Sequence, residues 1–217
     1  MHIPDGYLSP TTVIATYAVA IPLWVYGLKR LKNTLNEETL PLIGALSAMS
    51  FIIMMFNIPI PGGTSGHAVG AALIALLFGP WIGFIAVSLV LLLQAVIFGD
   101  GGISTFATNA LGMAFFGSFG GYYMYKSLEK FHLAPFFAGW MSAVVSSVFI
   151  ALALGIQPLF WSENGQPLYF PFDLKTVMVA VVGSHILAFG IIEGIFTQFV
   201  FSYLKEKENH KEAENEA

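Results

Sequence analysis

The chain contains no cysteine, which excludes disulfides, thiolate metal sites and a cysteine nucleophile at one stroke. Any metal it holds must take nitrogen, oxygen or methionine sulfur. Charge is scarce as well. Charged residues make up 10% of the 217 positions and hydrophobic residues 56%, with a mean hydropathy of +0.75, whereas a globular protein carries about 25% charge. Such a chain belongs in a lipid bilayer. No G-x-x-x-x-G-K-[ST] sequence occurs, so no P-loop for ATP hydrolysis is encoded. The net charge of −4 says little about partners, because Glu206, Glu208, Glu212, Glu214 and Glu216 crowd the last dozen residues as a solvated tail; no nucleic acid is expected.

The first ten residues, MHIPDGYLSP, have no basic n-region and two prolines, so no signal peptide is expected before the first apolar span. His2 is too large for the usual removal of the initiator methionine. Met1 is therefore expected to remain, with a free amine.

Apolar stretches cover residues 11–28, 40–56, 67–78, 81–98, 105–125, 134–154 and 176–204. They predict an all-α integral membrane protein of about seven transmembrane helices, each near the ~20 residues a bilayer requires. The third stretch is short: at ~1.5 Å per residue it cannot cross a core of ~30 Å alone. Eight of the nine basic residues then share one side, Lys175 being the exception, which places the amino terminus outside and the carboxyl terminus in the cytoplasm. On this reading residues 1–204 form the transmembrane metal-binding domain and 205–217 a charged cytoplasmic tail. The connections 57–66, 99–104 and 155–175 face the amino terminus. His67 is expected on the first turn of the third helix, lining an outward cavity, after a Pro-Gly-Gly loop that dips into the protein.

A chain beginning NH2-X-His offers a metal three nitrogens in sequence: the terminal amine, the amide of residue 2 and the imidazole Nδ1. Amine and amide close a five-membered ring and amide and Nδ1 a six-membered one, so all three lie in one plane. A second imidazole completes a square four-nitrogen site, which suits Ni(II) or Cu(II) better than tetrahedral zinc. His67 is the candidate for that corner. The amide must lose its proton, so affinity should fall in acid.

The segments MHIPDG at the start, GGTSGHAVGAAL from Gly62, FGDGGISTFATNALGMAF from Phe98 and SHILAFGIIEG from Ser184 together resemble the CbiM/NikM family, across about residues 1–204. Its members are the substrate-binding S components of energy-coupling-factor (ECF) transporters for nickel and cobalt. The resemblance implies a six-helix core plus one amino-terminal helix whose terminus plugs the centre. It also implies metal ligands at Met1, His2 and His67. The expected ion is Ni(II), with Co(II), for cobalamin biosynthesis, as the rival; a planar site with an ionised amide favours nickel in the Irving-Williams order. Expected partners are a membrane coupling T component, two ATPase subunits that supply the energy, and in some systems a small accessory membrane subunit. Expected residence is the inner membrane of a prokaryotic cell, and no enzymatic activity is implied.

Other polar residues fall around these. Asp5 could hold the terminal segment through loop amides or offset the charge of the ion. His185 and Glu193 are ionisable groups inside a span and so candidates for function, His185 as a neighbour of the ligands or a lining residue of the cavity. Asn109 and Gln94 could bond the plug or neighbouring helices. Ala68, Gly70, Ala71, Ala72 and Ala75 make a small-residue face suited to close packing. The methionines of the second stretch read as core filling rather than a Cu(I) path. Ser65, within the run Gly63-Thr64-Ser65-Gly66, together with His185 admits a second reading as a rhomboid-like intramembrane serine protease. That reading requires the two side chains within hydrogen-bond reach, and it leaves the MHIPDG segment without a role. The aromatic connection 155–175 suits an interfacial belt better than a lid.

Overall fold

The structure, a computed structural model, describes residues 1–60 and 64–216, with side chains as far as 208 and at 210. The Pro-Gly-Gly apex of the connection 57–66 and the end of the charged tail lie outside the described residues. The rest is mostly helical. We number the helices α1 (Pro10–Thr34), α2 (Thr39–Met54), α3 (Ala71–Phe78), α4 (Pro80–Phe98), α5 (residues 106–127), α6 (Ala134–Phe160) and α7 (residues 174–216). Two small antiparallel hairpins sit in the connections: β1 (Ile58–Ile60) with β2 (Thr64–Gly66), and β3 (Ser162–Glu163) with β4 (Gln166–Pro167).

Among the described residues four helices, α1, α4, α6 and the 174–208 part of α7, are long and apolar enough to cross a membrane. Of the others, α2 has 16 residues and α3 has eight, while Asn109, the glycines and the tyrosines dilute the hydropathy of α5. Apolar side chains stand outward on the long helices, including Ile14 and Val25 on α1 and Val179, Leu187 and Phe199 on α7. In water so broad an apolar exterior is an association surface; facing lipid it is the ordinary exterior of a membrane protein.

The short α3 is the centre of the bundle. Ala71, Ala72, Leu73, Ile74 and Ala75 are all at most 1% exposed, and the small-residue face does pack. A Cβ on Gly121 of α5 would lie 2.7 Å from Ala72 Cβ, and one on Gly83 of α4 3.2 Å from Ala75 Cβ. The third helix is shorter than the sequence reading has it. His67 is not on its first turn but four residues before it, because Gly70 takes a left-handed conformation (φ 79°) and α3 begins only at Ala71. Gly is suited to that position, since a Cβ there is strained.

Helix α1 starts at Ser9, whose side chain accepts the Thr12 N–H, with Pro10 in the first helical position, where its missing N–H is no loss. Trp24 seats α1 on its neighbours, stacking on Phe106 at 5.0 Å and donating to Ser88 of α4. Helices α4, α5 and α7 each change to π geometry partway, at Gln94–Phe98, Ala110–Phe116, and Met178–Val182 with His185–Phe189. Contacts of the first nine residues with Ser65, Ser104 and Gln157 gather the three connections at the end that bears the amino terminus.

Since residues 71–75 of α3 are buried, the Gly121→Ala variant should lose about 1–3 kcal/mol through overpacking against Ala72 and the Ala138 carbonyl. A lower thermal midpoint in detergent would register this. An unchanged midpoint would mean that α3 and α5 are not in this contact.

Candidate metal centre

The amino terminus enters the bundle instead of fraying. Ser9 N–H donates to Gln157 at 3.0 Å, Tyr7 packs on buried Phe170 at 5.5 Å, and Gly6 turns the chain at φ 88°. Asp5 accepts from the Ile103 and Ser104 amides at 3.2 and 2.8 Å and from the Ser104 hydroxyl, which holds its carboxyl below the usual carboxylate range. Of the two roles open to Asp5 in the sequence, the structure shows the loop clasp. Phe170 likewise makes the long connection a cover over this segment.

Below Asp5 the main chain itself is gripped. Asn109 pairs with Ile3 on both edges, accepting its N–H at 2.9 Å and donating to its carbonyl at 3.0 Å. The same carbonyl also accepts from Thr105 and Gly102. Met1 and Ile3 are fully buried, and His2 is 6% and His67 2% exposed. The outward cavity expected beside His67 is therefore filled, by the terminus itself.

The two imidazoles stack there. The His2 and His67 rings lie 4.7 Å apart, nearly parallel at 23°, and the Met1 nitrogen donates to the Ser65 carbonyl at 2.5 Å. Burial pushes the Met1 amine from 8.0 down to about 4, Asp100 acting in the opposite direction. Burial also lowers the His2 imidazole to about 3. Both groups are thus neutral at physiological pH, with lone pairs available.

Hydrogen bonding assigns the tautomers. His2 Nε2 lies 3.2 Å from the Gln94 Oε1, which only accepts, so Nε2 carries the hydrogen and Nδ1 is bare. His67 Nδ1 lies 3.0 Å from the Ala68 carbonyl, which leaves Nε2 bare. Neither His2 Nδ1 nor His67 Nε2 has a hydrogen-bond partner. A ring nitrogen fixed to a carbonyl with the other left open is the wiring of metal-binding histidines. Among the described residues no three His, Asp or Glu side chains cluster as a metal site.

His67 is held from two helices. Glu193 of α7, wholly buried, accepts the Val69 and Gly70 amides at 2.6 and 2.8 Å, and Ser50 of α2 donates to the Val69 carbonyl at 2.5 Å. Phe189 covers Gly66 so closely that a Cβ there would fall 2.0 Å from the ring. His185, also fully buried, bonds the Val181 carbonyl at 2.7 Å and leaves Nε2 unpaired. Its ring is closed off from solvent.

The serine protease reading lacks its central contact. Ser65 donates its hydroxyl to Asn57 at 2.8 Å, while the partners of His185 are Val181 and Ser184. The sequence reading missed Asp100, whose Oδ1 stands 3.3 Å from His2 Nδ1, and Asn57, Thr105 and Gln157. Only the unusual FGDGG run could have pointed to Asp100.

Fold and site together define a helical membrane protein whose amino terminus is buried against paired imidazoles. Residues 2–210 match the CbiM family, the cobalt uptake substrate-specific transmembrane region, and the chain belongs to that family. It is 40% identical over 211 residues to a probable fused nickel transport protein, LarMN, of Lactiplantibacillus plantarum, covering 94% of this chain and 64% of the relative. It is 39% identical to the fused nickel transport protein NikMN of Rhodobacter capsulatus, covering 94% and 62%. The chain thus spans just under two thirds of these relatives. The crystal structure of a truncated transition metal transporter superposes with a TM-score of 0.92 at 39% identity, covering 95% of this chain and 99% of that one.

Replacing Asn109 by Ala should orphan the Ile3 amide, at about 1–3 kcal/mol. Hydrogen exchange at Ile3 should then accelerate, while exchange within α3 stays slow.

Proposed function

We propose that this chain is the substrate-binding S component of an ATP-driven ECF uptake transporter, and that it captures Ni(II) at the outer face of a prokaryotic cell membrane. The ligands are the Met1 amine, the amide and Nδ1 nitrogens of His2, and His67 Nε2. The observation that carries this reading is the pair of bare imidazole nitrogens, His2 Nδ1 and His67 Nε2, on rings 4.7 Å apart beside a neutral buried amine. The amine can keep its bond to the Ser65 carbonyl and still offer its lone pair. The nickel named in both fused relatives supports the substrate, and the family's description names cobalt, so Co(II) is the competing ion. The charge asymmetry of the loops supports seven spans with the amino terminus outside and the tail in the cytoplasm.

A four-nitrogen chelate releases its ion slowly, and conduction requires binding weak enough to let go. Energy must come from elsewhere, and the chain encodes no P-loop. A coupling T component and two ATPase subunits, with or without a small accessory membrane subunit, fit that need.

The decisive test is Ni(II) and Co(II) calorimetry on purified protein with its native terminus, and with one residue added before Met1. The added residue removes the amine as a ligand, and His67→Ala removes the fourth corner. Each should weaken Ni(II) binding by at least about 100-fold, since loss of even an outer partner of a ligand costs 10–100-fold. The exposed His132→Ala variant should bind as the native protein does. Full affinity in the extended protein would refute the chelate. Tighter Co(II) than Ni(II) binding would reassign the substrate.

Because Met1 and His2 are already neutral, binding should release about one proton per ion, from the His2 amide. Affinity should therefore fall about tenfold for each pH unit of acidification, one unit being 1.36 kcal/mol. Calorimetry in two buffers of different ionisation enthalpy counts the protons. A count near zero would mean that the amide stays protonated and is no ligand.

A further inference from the structure

Asp100 stands between the site and the outer surface. Its Oδ2 accepts the Asn57 amide at 2.7 Å, and Asn57 in turn accepts the Ser65 hydroxyl, so the carboxylate is fixed with Oδ1 turned inward. That oxygen lies 3.3 Å from His2 Nδ1. The Gln94 contact has placed the imidazole hydrogen on the far nitrogen, so two lone-pair atoms face each other without a proton between them. In a buried site such a pair is unfavourable, and a cation held by both atoms removes the conflict.

The spacing suits one ion. Oxygen and nitrogen ligands stand about 2.0–2.2 Å from a first-row divalent metal, which puts two neighbouring donors roughly 3 Å apart. Access differs between them: the Asp100 side chain is 21% exposed and that of His2 4%. The backbone around Asp100 is shaped for this approach. Gly99 and Gly101 both take positive φ, 65° and 87°, and a Cβ on Gly101 would lie 3.4 Å from the His2 ring.

We propose that Asp100 is the capture ligand of this site. A hydrated divalent cation exchanges water first for Asp100 Oδ1, shares it with His2 Nδ1, and passes to the nitrogen donors as the chelate closes. The proposal rests on the chelate described above. A carboxylate oxygen binds most divalent ions, so this step sets the rate of loading, and choice between ions falls to the nitrogens.

The test is stopped-flow Ni(II) binding by the purified full chain, with release measured into an excess of chelator. Asp100→Asn keeps the shape and the Asn57 contact but turns an N–H toward His2 Nδ1. Its association rate should fall about tenfold or more, the range for removal of an attracting charge at a site mouth, with dissociation changed less than about threefold. Asp100→Glu, which keeps the carboxylate, should retain most of the rate. The metal-free Asn variant should also melt higher than the native protein, because its new hydrogen bond relieves the facing lone pairs; a purely structural role requires it to melt lower. An unchanged association rate overturns the assignment. So does an altered absorption spectrum of the bound Ni(II), which would make Asp100 a permanent ligand. Equilibrium affinity that still depends on the free amine while association ignores Asp100 would sink the capture ligand and leave the chelate standing.

Discussion

The end of this protein that bears the amino terminus depends on one constraint: main-chain groups threaded into a low-dielectric bundle must all find partners. An unpaired amide or carbonyl there costs about 1–3 kcal/mol, and the neighbouring helices spend their own backbone groups internally. Side chains have to serve. Asn109 pairs with both polar atoms of Ile3, and that pairing sets the register of the terminus. A slip of one residue would put His2 where Ile3 now sits and withdraw its ring from His67. The depth of the plug, the tautomer of His2 and the distance between the imidazoles all depend on where Asn109 stands.

Helix geometry places those side chains. Gln94 opens the π segment of α4, Asn109 immediately precedes that of α5, and His185 opens one in α7. A π turn adds a residue and rotates the remainder of the helix, which is why such turns gather at functional sites. Three helices make this change beside the buried terminus, and regular α geometry would aim at least some of these residues elsewhere.

The helical, apolar character of the chain was legible in the sequence because apolar runs of that length admit few other readings; among the described residues, four of the seven expected spans are helices long and apolar enough to cross a membrane. That the His2 ring lies against that of His67 was legible from two signals, the amine, amide and imidazole spacing at the terminus and the family resemblance of the segment that carries His67. What failed was the boundary at His67. The run His67-Ala68-Val69-Gly70-Ala71 has the composition of a helix, and only the left-handed Gly70 and the remote Glu193, 123 residues along the chain from Gly70, end it there. Asp100 and Asn57 were invisible for a related reason. They lie in connections without periodicity, and their meaning comes from contacts across 43 residues with each other and with the terminus. Asp5 was half legible: its clasp on the 103–104 amides was one of two roles the sequence allowed.

Each imidazole of the pair is held by a different set of helices. His2 is fixed through Gln94 of α4 and, by way of Ile3, through Asn109 of α5. His67 is fixed through the 69–70 segment by Ser50 of α2 and Glu193 of α7. The 4.7 Å between the rings is therefore a measure of how α2 and α7 sit against α4 and α5. A displacement of one set against the other would divide the two rings, and it would also break the Met1–Ser65 and Asn57–Asp100 contacts that join the two sides. The grip on each ring thus comes from its own helices, while the bonds from the terminus and Asp100 to the 57–66 connection set the separation of the two.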